Sequence, residues 1–270
     1  MARIIPKFDI EHIDVTFDFT EDTPRFWDNF WNNNEGLGAG TNDPDIQSKT
    51  LQRYHKLLWS KELPNGEYMD LTIGSGAKYL TWSDFRFGSD SITASFRYRG
   101  YRHMIEKVMS TLRDYHRFME NYLRKSYTIG GSIIFPKWHG GMNQSRGCNP
   151  QIRDRWDLTL ECIRRHYHGE ESPLSKTLEK DREFFNLFVD FKGYVDFFYL
   201  QDCVSNNYDK VVFWLGDGDF SQNPLPQTID EYLQWINQNL DFVDSRNTRI
   251  ETDCKNRGLK TKNLQTTQFK

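Results

Sequence analysis

Apolar side chains recur along this chain at two spacings, and each spacing predicts a different element. In PRFWDNFWNNN, residues 24–34, Phe26, Trp27, Phe30 and Trp31 fall one, three and four residues apart. That predicts a short helix with an aromatic face, closed by asparagines. Residues 46–60 carry Leu51, Tyr54, Leu58 and Trp59 on or near one side, which predicts a second helix. LPNGEYMDLTIG then reads as a Pro-Asn-Gly turn feeding a strand. KYLTWSDFRFGSDSI continues in β style, with Leu80, Trp82 and Phe85 against polar neighbours. Over 101–124 the spacing returns to three and four through Ile105, Val108, Leu112, Tyr115, Met119 and Tyr122, a helix. YTIGGSIIFPK follows as a strand whose Ile133–Phe135 run suits a buried place.

The second half is mostly helical in pattern. Trp156, Leu160, Ile163 and Tyr167 form a stripe behind Asp154, which is expected to cap that helix, and Gly169 stops it. Ser172 before Pro173 opens a further helix through about Phe188. FKGYVDFFYLQDCV is apolar nearly all round and so belongs in the interior. VVFWLG reads as a strand, and Thr228 with Glu231 forms a capping box for a last helix through Val243. The expected fold is α+β: a small β-sheet from the N-terminal half packed against a helix-rich C-terminal half. Residues 1–253 form a single domain and 254–270 a basic, frayed tail.

Composition narrows the class. Fifteen per cent aromatics among 270 residues supports a sizeable core rather than disorder. No run is apolar enough to cross a bilayer, and MARIIPKFDIEHIDVTF lacks the features of a signal peptide, so a cytoplasmic protein is expected. The formal charge of −3 conceals cations at 255, 257, 260, 262 and 270 with no acid after Asp253, so the rest of the chain is distinctly acidic. A broad nucleic-acid-binding face is therefore not expected. Cysteines 148, 162, 203 and 254 include no CxxC pair, which argues for reduced thiols and against a zinc site. The Gly38–Gly40 pair has no strand before it, as a phosphate-binding turn would require.

The densest chemistry lies in PKWHGGMNQSRGCNPQIRDRWD, residues 136–157, between a strand and a helix. Such a connection offers free backbone N–H groups, Gly140 and Gly141 permit close approach, and Arg146 and Lys137 suit an anion. Asn143 and Gln144 carry donor–acceptor pairs for a base or amide edge, and His139 is a candidate general acid or base. The competing account is structural: polar side chains satisfy the loop backbone, and Asp154, Asp157, Arg153 and Arg155 pair among themselves. Arg86 in FRFGSDS would complete a phosphate clamp if it met Arg146, whereas Ser89, Asp90 and Ser91 suit local capping. Asp196 and Asp202 in an apolar segment need partners, with Arg164 a suitable one, and Asp196 or Glu170 is a candidate catalytic acid. His166 and His168 face apart on a helix and do not share a metal.

SKTLQRYHKLLWSKELPNGE, FRFGSDSI, NQSRG followed by IRDRWDLTLECIRRHY, and GYVDFFYLQD together resemble an uncharacterised bacterial family of hypothetical proteins, over about residues 14–250. The resemblance implies a toxin-like or phage-defence setting and raises the expectation of an enzyme acting on RNA, DNA or a nucleotide cofactor. The leading expectation is a nucleotide- or NAD-binding enzyme acting on nucleic acid or protein, in its most concrete form an ADP-ribosyltransferase. Its cofactor site would be Arg86, Lys137, Asn143, Gln144 and Arg146, and its catalytic residues His139, Glu170 and Asp196. An antitoxin or other protein partner is compatible with that role. The alternative is a non-catalytic immunity, inhibitor or assembly component that binds a partner through an aromatic surface around Trp27 and Trp31. A nuclease would need a compact acidic motif for Mg²⁺, and none is evident.

Overall fold

The computed structural model describes residues 12–28, 42–74, 79–93, 107 and 110–261. An antiparallel four-stranded sheet, in the order β2-β3-β4-β5, sits in the N-terminal half: β2 is Thr72–Ile73, β3 Leu80–Trp82, β4 Phe85–Ser91 and β5 Ser132–Pro136. A second, two-stranded parallel pair joins β1, His12–Ile13, to β6, Lys260–Thr261. The helices are α1 Pro44–Gln47, α2 Lys49–Trp59, α3 Tyr115–Ser126, α4 Met142–Cys148, α5 Trp156–Tyr167, α6 Ser175–Lys180, α7 Arg182–Asn186, α8 Phe191–Phe197 and α9 Ile229–Asn256. The fold class is α+β, as the pattern of apolar spacings predicts. The long helix runs three residues past 253, so the expected start of the tail falls inside α9; residues beyond 261 lie outside the description.

Local chemistry explains most element ends. Thr228 and Glu231 exchange both capping bonds at the start of α9. Asp114 and Ser48 cap α3 and α2, and Ser48 is also where α1 gives way to α2 within the span expected as one helix. The predicted helix over 24–34 is helical only at 26–28 among the described residues, with Phe26 buried and Trp27 packed on the core; the rest of it lies outside them, as do Ile105 and Val108. VVFWLG forms one isolated bridge, Val204 to Val211, rather than a strand. The helix expected from Ser172 begins at Ser175 and breaks into α6 and α7 at Asp181.

The core is continuous and dominated by rings. Phe184, Phe185, Phe188, Tyr194, Phe197 and Phe198 stack edge to face along α7 and α8, and Trp59 joins them from α2. The segment that reads as apolar all round, 191–204, is interior as expected. Cys162, Cys203 and Cys254 are buried free thiols and Cys148 is exposed. Among the described residues no helix is long and apolar enough to cross a membrane.

Candidate functional site

Strand β3 pairs with β4 only as far as Leu80–Phe87, so the second half of β4 has no strand on that side. Helix α1 packs there instead. Alternation along β4 turns Phe87 and Ser89 to one face of the sheet and Arg86, Gly88 and Asp90 to the other. Each face carries its own polar arrangement.

On the first face, the Ser89 hydroxyl lies 3.0 Å from His55 Nε2 and donates to Asp45 Oδ1 at 2.7 Å. Trp59 Nε1 donates to His55 Nδ1 at 2.9 Å. An indole N–H only donates, so Nδ1 is the unprotonated nitrogen and Nε2 carries the hydrogen. The chain is therefore directional: Trp59 to His55 to Ser89 to Asp45. Complete burial pushes the His55 imidazole down to about 3, with Arg246 adding to the effect, so the ring is neutral. With its lone pair taken by Trp59, His55 has no means to abstract a proton from Ser89. The three residue types suggest nucleophilic catalysis, but the bond directions describe a structural wire that ties α1 and α2 to β4.

On the second face, Arg146 is fully buried on α4. Its Nη1 donates to Asp90 Oδ2 at 2.6 Å and to Ser91 O at 3.1 Å, its Nε donates to Thr159 Oγ1 at 3.2 Å, and Nη2 lies 3.4 Å from Asp154 Oδ1. The guanidinium also lies over the Trp156 ring. Asp154 does not cap α5, as its spacing from Asp157 suggests; Arg155 occupies that position, and Asp154 turns back to Arg146 with φ at +63°. Arg153 before it is also left-handed, at +50°. Two consecutive non-glycine residues in that region are costly and mark a segment held by its surroundings. Burial raises both carboxyls; Arg146 opposes the rise, while Asp43 and Asp154's neighbour Asp90 reinforce it. The two partly exposed carboxyls flank one guanidinium, and burial takes Asp154 up to about 7.

Beside this triad, Arg86 and Lys137 continue the β4–β5 ladder: Lys137 N–H donates to Arg86 O at 2.7 Å, one step beyond the Phe87–Pro136 pair. They are direct cross-strand partners on the face that bears Asp90, and both are exposed. Arg86 stacks its guanidinium 3.7 Å from the centre of the Tyr79 ring. Lys137 lies across Gly88, where an added Cβ would come within 3.1 Å of Lys137 Cδ. A side chain at 88 would push the lysine stem aside by a few tenths of an ångström. Neither cation has a carboxylate within ion-pair distance among the described residues.

The remaining expected site residues are divided among other duties. Asn143 Nδ2 donates to Ser89 O at 2.9 Å, which pins α4 to the open part of β4, and its buried Oδ1 lacks a partner among the described residues. Gln144 Oε1 accepts from Gly140 N–H at 3.0 Å and holds the loop. His139 is exposed in the same loop. Glu170 pairs with Arg164 at 3.2 Å and lines a separate cavity with His166 and Arg182. Asp196 accepts from Lys192, Tyr208 and Gln201 and lines another, while Asp202 pairs with Arg249 rather than Arg164. His139, Glu170 and Asp196 therefore stand in different settings, and only His139 belongs to the loop beside Lys137. Sequence reasoning gave Asp90 a capping role and missed His55; the alternation in RFGSD was the signal that Arg86 and Asp90 share a face.

The fold and site together describe an α+β protein with a cationic pair and an acid pair on one sheet face. The chain belongs to the family of unknown function DUF6994, whose profile matches residues 13–250. No curated protein and no solved structure matches it.

Proposed function

We propose that the chain is an enzyme acting on a nucleotide or dinucleotide, with its phosphates between Arg86 and Lys137 and its reacting centre toward Asp90 and Asp154. The observation that carries this reading is the cross-strand cation pair. Like charges directly opposite on a sheet repel, and an anion between them converts that repulsion into charge-assisted hydrogen bonding. Burial raises both Asp90 and Asp154, the latter to about 7, which suits an acid or base working near neutral pH, and Arg146 holds the two together. Arg146 acts here as the holder of that pair and not as the phosphate clamp itself.

With NAD as the donor, the ionised member stabilises the ribosyl cation that develops as nicotinamide departs, and transfer of ADP-ribose to an acceptor follows. A toxin-like or defence role suits such chemistry. The non-catalytic reading loses Phe26, which is buried, and Trp27, which packs on the core, while Phe30 and Trp31 lie outside the described residues; Ile46, Tyr68, Val189 and Val212 are the exposed large apolar residues among those described.

A thermal-shift panel of NAD, ATP, GTP and inorganic pyrophosphate tests the reading on wild type and an Arg86→Gln/Lys137→Gln variant. Ligand at a hundred times its Kd stabilises by about 2.7 kcal/mol, a rise on the order of 5–10 °C for a chain of this size. The expected result is a rise with one ligand in wild type that the double variant loses while keeping its ligand-free Tm. No rise with any of them, or a rise that the variant keeps, overturns the proposal.

A further inference from the structure

Lys61 follows α2, and its ammonium lies among aromatic rings and two neutral acceptors. Its Nζ donates to Phe197 O at 2.9 Å and to the Tyr199 hydroxyl at 2.7 Å. The rings of Tyr199 and Phe197 close around it at 4.1 and 4.4 Å, with Trp59 at 5.4 Å. Among the described residues no carboxylate pairs with Nζ; Asp253 is reached through Tyr199, which donates to it at 2.6 Å. Arg257, which caps the end of α9, holds Asp253 at 3.2 Å.

Lys61 lines an open cavity of about 650 Å³ together with Pro64, Phe188, Val189, Lys192 and Asp196. Two residues of the wall and its support are in the left-handed region without being glycine: Val189 at φ +70° and Tyr199 at +56°. For a β-branched and an aromatic residue these are genuine outliers, and such strain collects at working sites.

We propose that Lys61 is a nucleophilic amine that forms an imine with a carbonyl compound, an aldehyde or ketone, admitted through this cavity. The site shares no residue with the Arg86–Lys137 pair and does not depend on the nucleotide reading. In the reaction the Nζ lone pair bonds to the carbonyl carbon, the carbonyl π electrons move to oxygen, and a nitrogen proton passes to that oxygen. Loss of the hydroxyl with the second nitrogen proton gives one water and the C=N bond. Tyr199 is the proton carrier between Nζ and Asp253, since its hydroxyl accepts from the first and donates to the second.

The electrostatic setting supports a free base. Burial lowers the Lys61 amine to about 7; Asp253 and the Cys254 thiol raise it, and Arg257 and Arg246 lower it further. The cavity's other charges, Glu62, Asp190, Lys192 and Asp196, include a lysine already paired with Asp196. The ring faces favour the cation, and the removal of water from the amine outweighs them. A neutral amine near physiological pH is what imine formation needs.

The test is reductive alkylation of the full chain with propionaldehyde and cyanoborohydride, mapped by peptide mass spectrometry across pH. At neutral pH Lys61 is expected to react ahead of the exposed Lys56 and Lys180, with the order reversing in strong alkali. Tyr199→Phe, which keeps the ring, is expected to slow Lys61 severalfold and leave Lys56 unchanged. Labelling of Lys61 that trails the exposed lysines at every pH, or that Tyr199→Phe leaves untouched in a folded protein, overturns the assignment.

Discussion

Arg146 and Arg246 are both completely buried, yet they are stabilised by opposite means. Arg146 faces two carboxylates, and Asp90 and Asp154 hold its guanidinium charge firmly, against the cost of burial. Arg246, on α9, faces only carbonyls: it donates to Phe198 O at 3.0 Å, Gly130 O at 2.8 Å and Ser132 O at 2.7 Å. Burial lowers it to about 10, and its Nη2 finds no partner among the described residues. The surroundings match this difference. Around Arg246 the backbone is closed tight, since a Cβ at Gly130 would lie 2.5 Å from Val243 O. Asn247 also takes the Gly130 N–H at 2.7 Å. Around Arg146 both carboxyls keep partial exposure, and Asp154 sits on strained backbone. A buried cation met by carbonyls is a brace between α9 and the sheet; one met by partly exposed acids organises groups that still reach solvent.

Four substitutions separate the two. Arg246→Met leaves three carbonyls without a donor and is expected to cost several kcal/mol, at about 1–3 for each orphaned group, read as a lowered urea midpoint that acidification does not restore. Arg146→Met is expected to cost about 3–5 kcal/mol at neutral pH, as removal of one member of a buried pair does. That loss shrinks in acid. Without the arginine, both carboxyls titrate higher in the folded than in the unfolded chain, so their penalty appears as pH rises and vanishes below the unfolded value.

His55 has the opposite sign. Its folded value of about 3 lies below the ordinary 6.5, so its contribution is present above 6.5 and is lost as pH falls toward 3. The slope is about 1.4 kcal/mol per pH unit. His55→Gln is expected to flatten the wild-type loss of stability over that range, measured as urea midpoint against pH. The smallest effect is Gly88→Ala, whose Cβ displaces the Lys137 stem: stability changes by about 1 kcal/mol or less, while affinity for the phosphate-bearing ligand falls severalfold by calorimetry.

The parts of this molecule written in local sequence could be read from it. Thr228 and Glu231 cap α9 because both partners lie within one turn, and the Ile133–Phe135 run announces a buried strand by itself. Asp154 deceives for the same reason. Its spacing from Asp157 fits a capping pattern, but Arg146 offers a charged partner that outcompetes helical N–H groups. Arg86, Lys137 and Arg146 were legible as anion-seeking residues. That Arg86 meets Lys137, while Arg146 is held beneath by Asp90, depends on pairing β4 with a strand more than forty residues later. His55 gives no local sign of its role, since its partners come from β4 and from one turn along α2.

The cation pair on the sheet face is tested most directly by isothermal titration of the ligand that scores in the panel, into wild type and the Arg86→Gln/Lys137→Gln variant, at low and raised salt. Charge-assisted bonds of about 1.5–3 kcal/mol each predict at least tenfold weaker binding in the variant, with wild-type affinity falling as salt rises and the variant's nearly flat. Equal affinity in the two proteins, or wild-type binding indifferent to salt, would contradict the account.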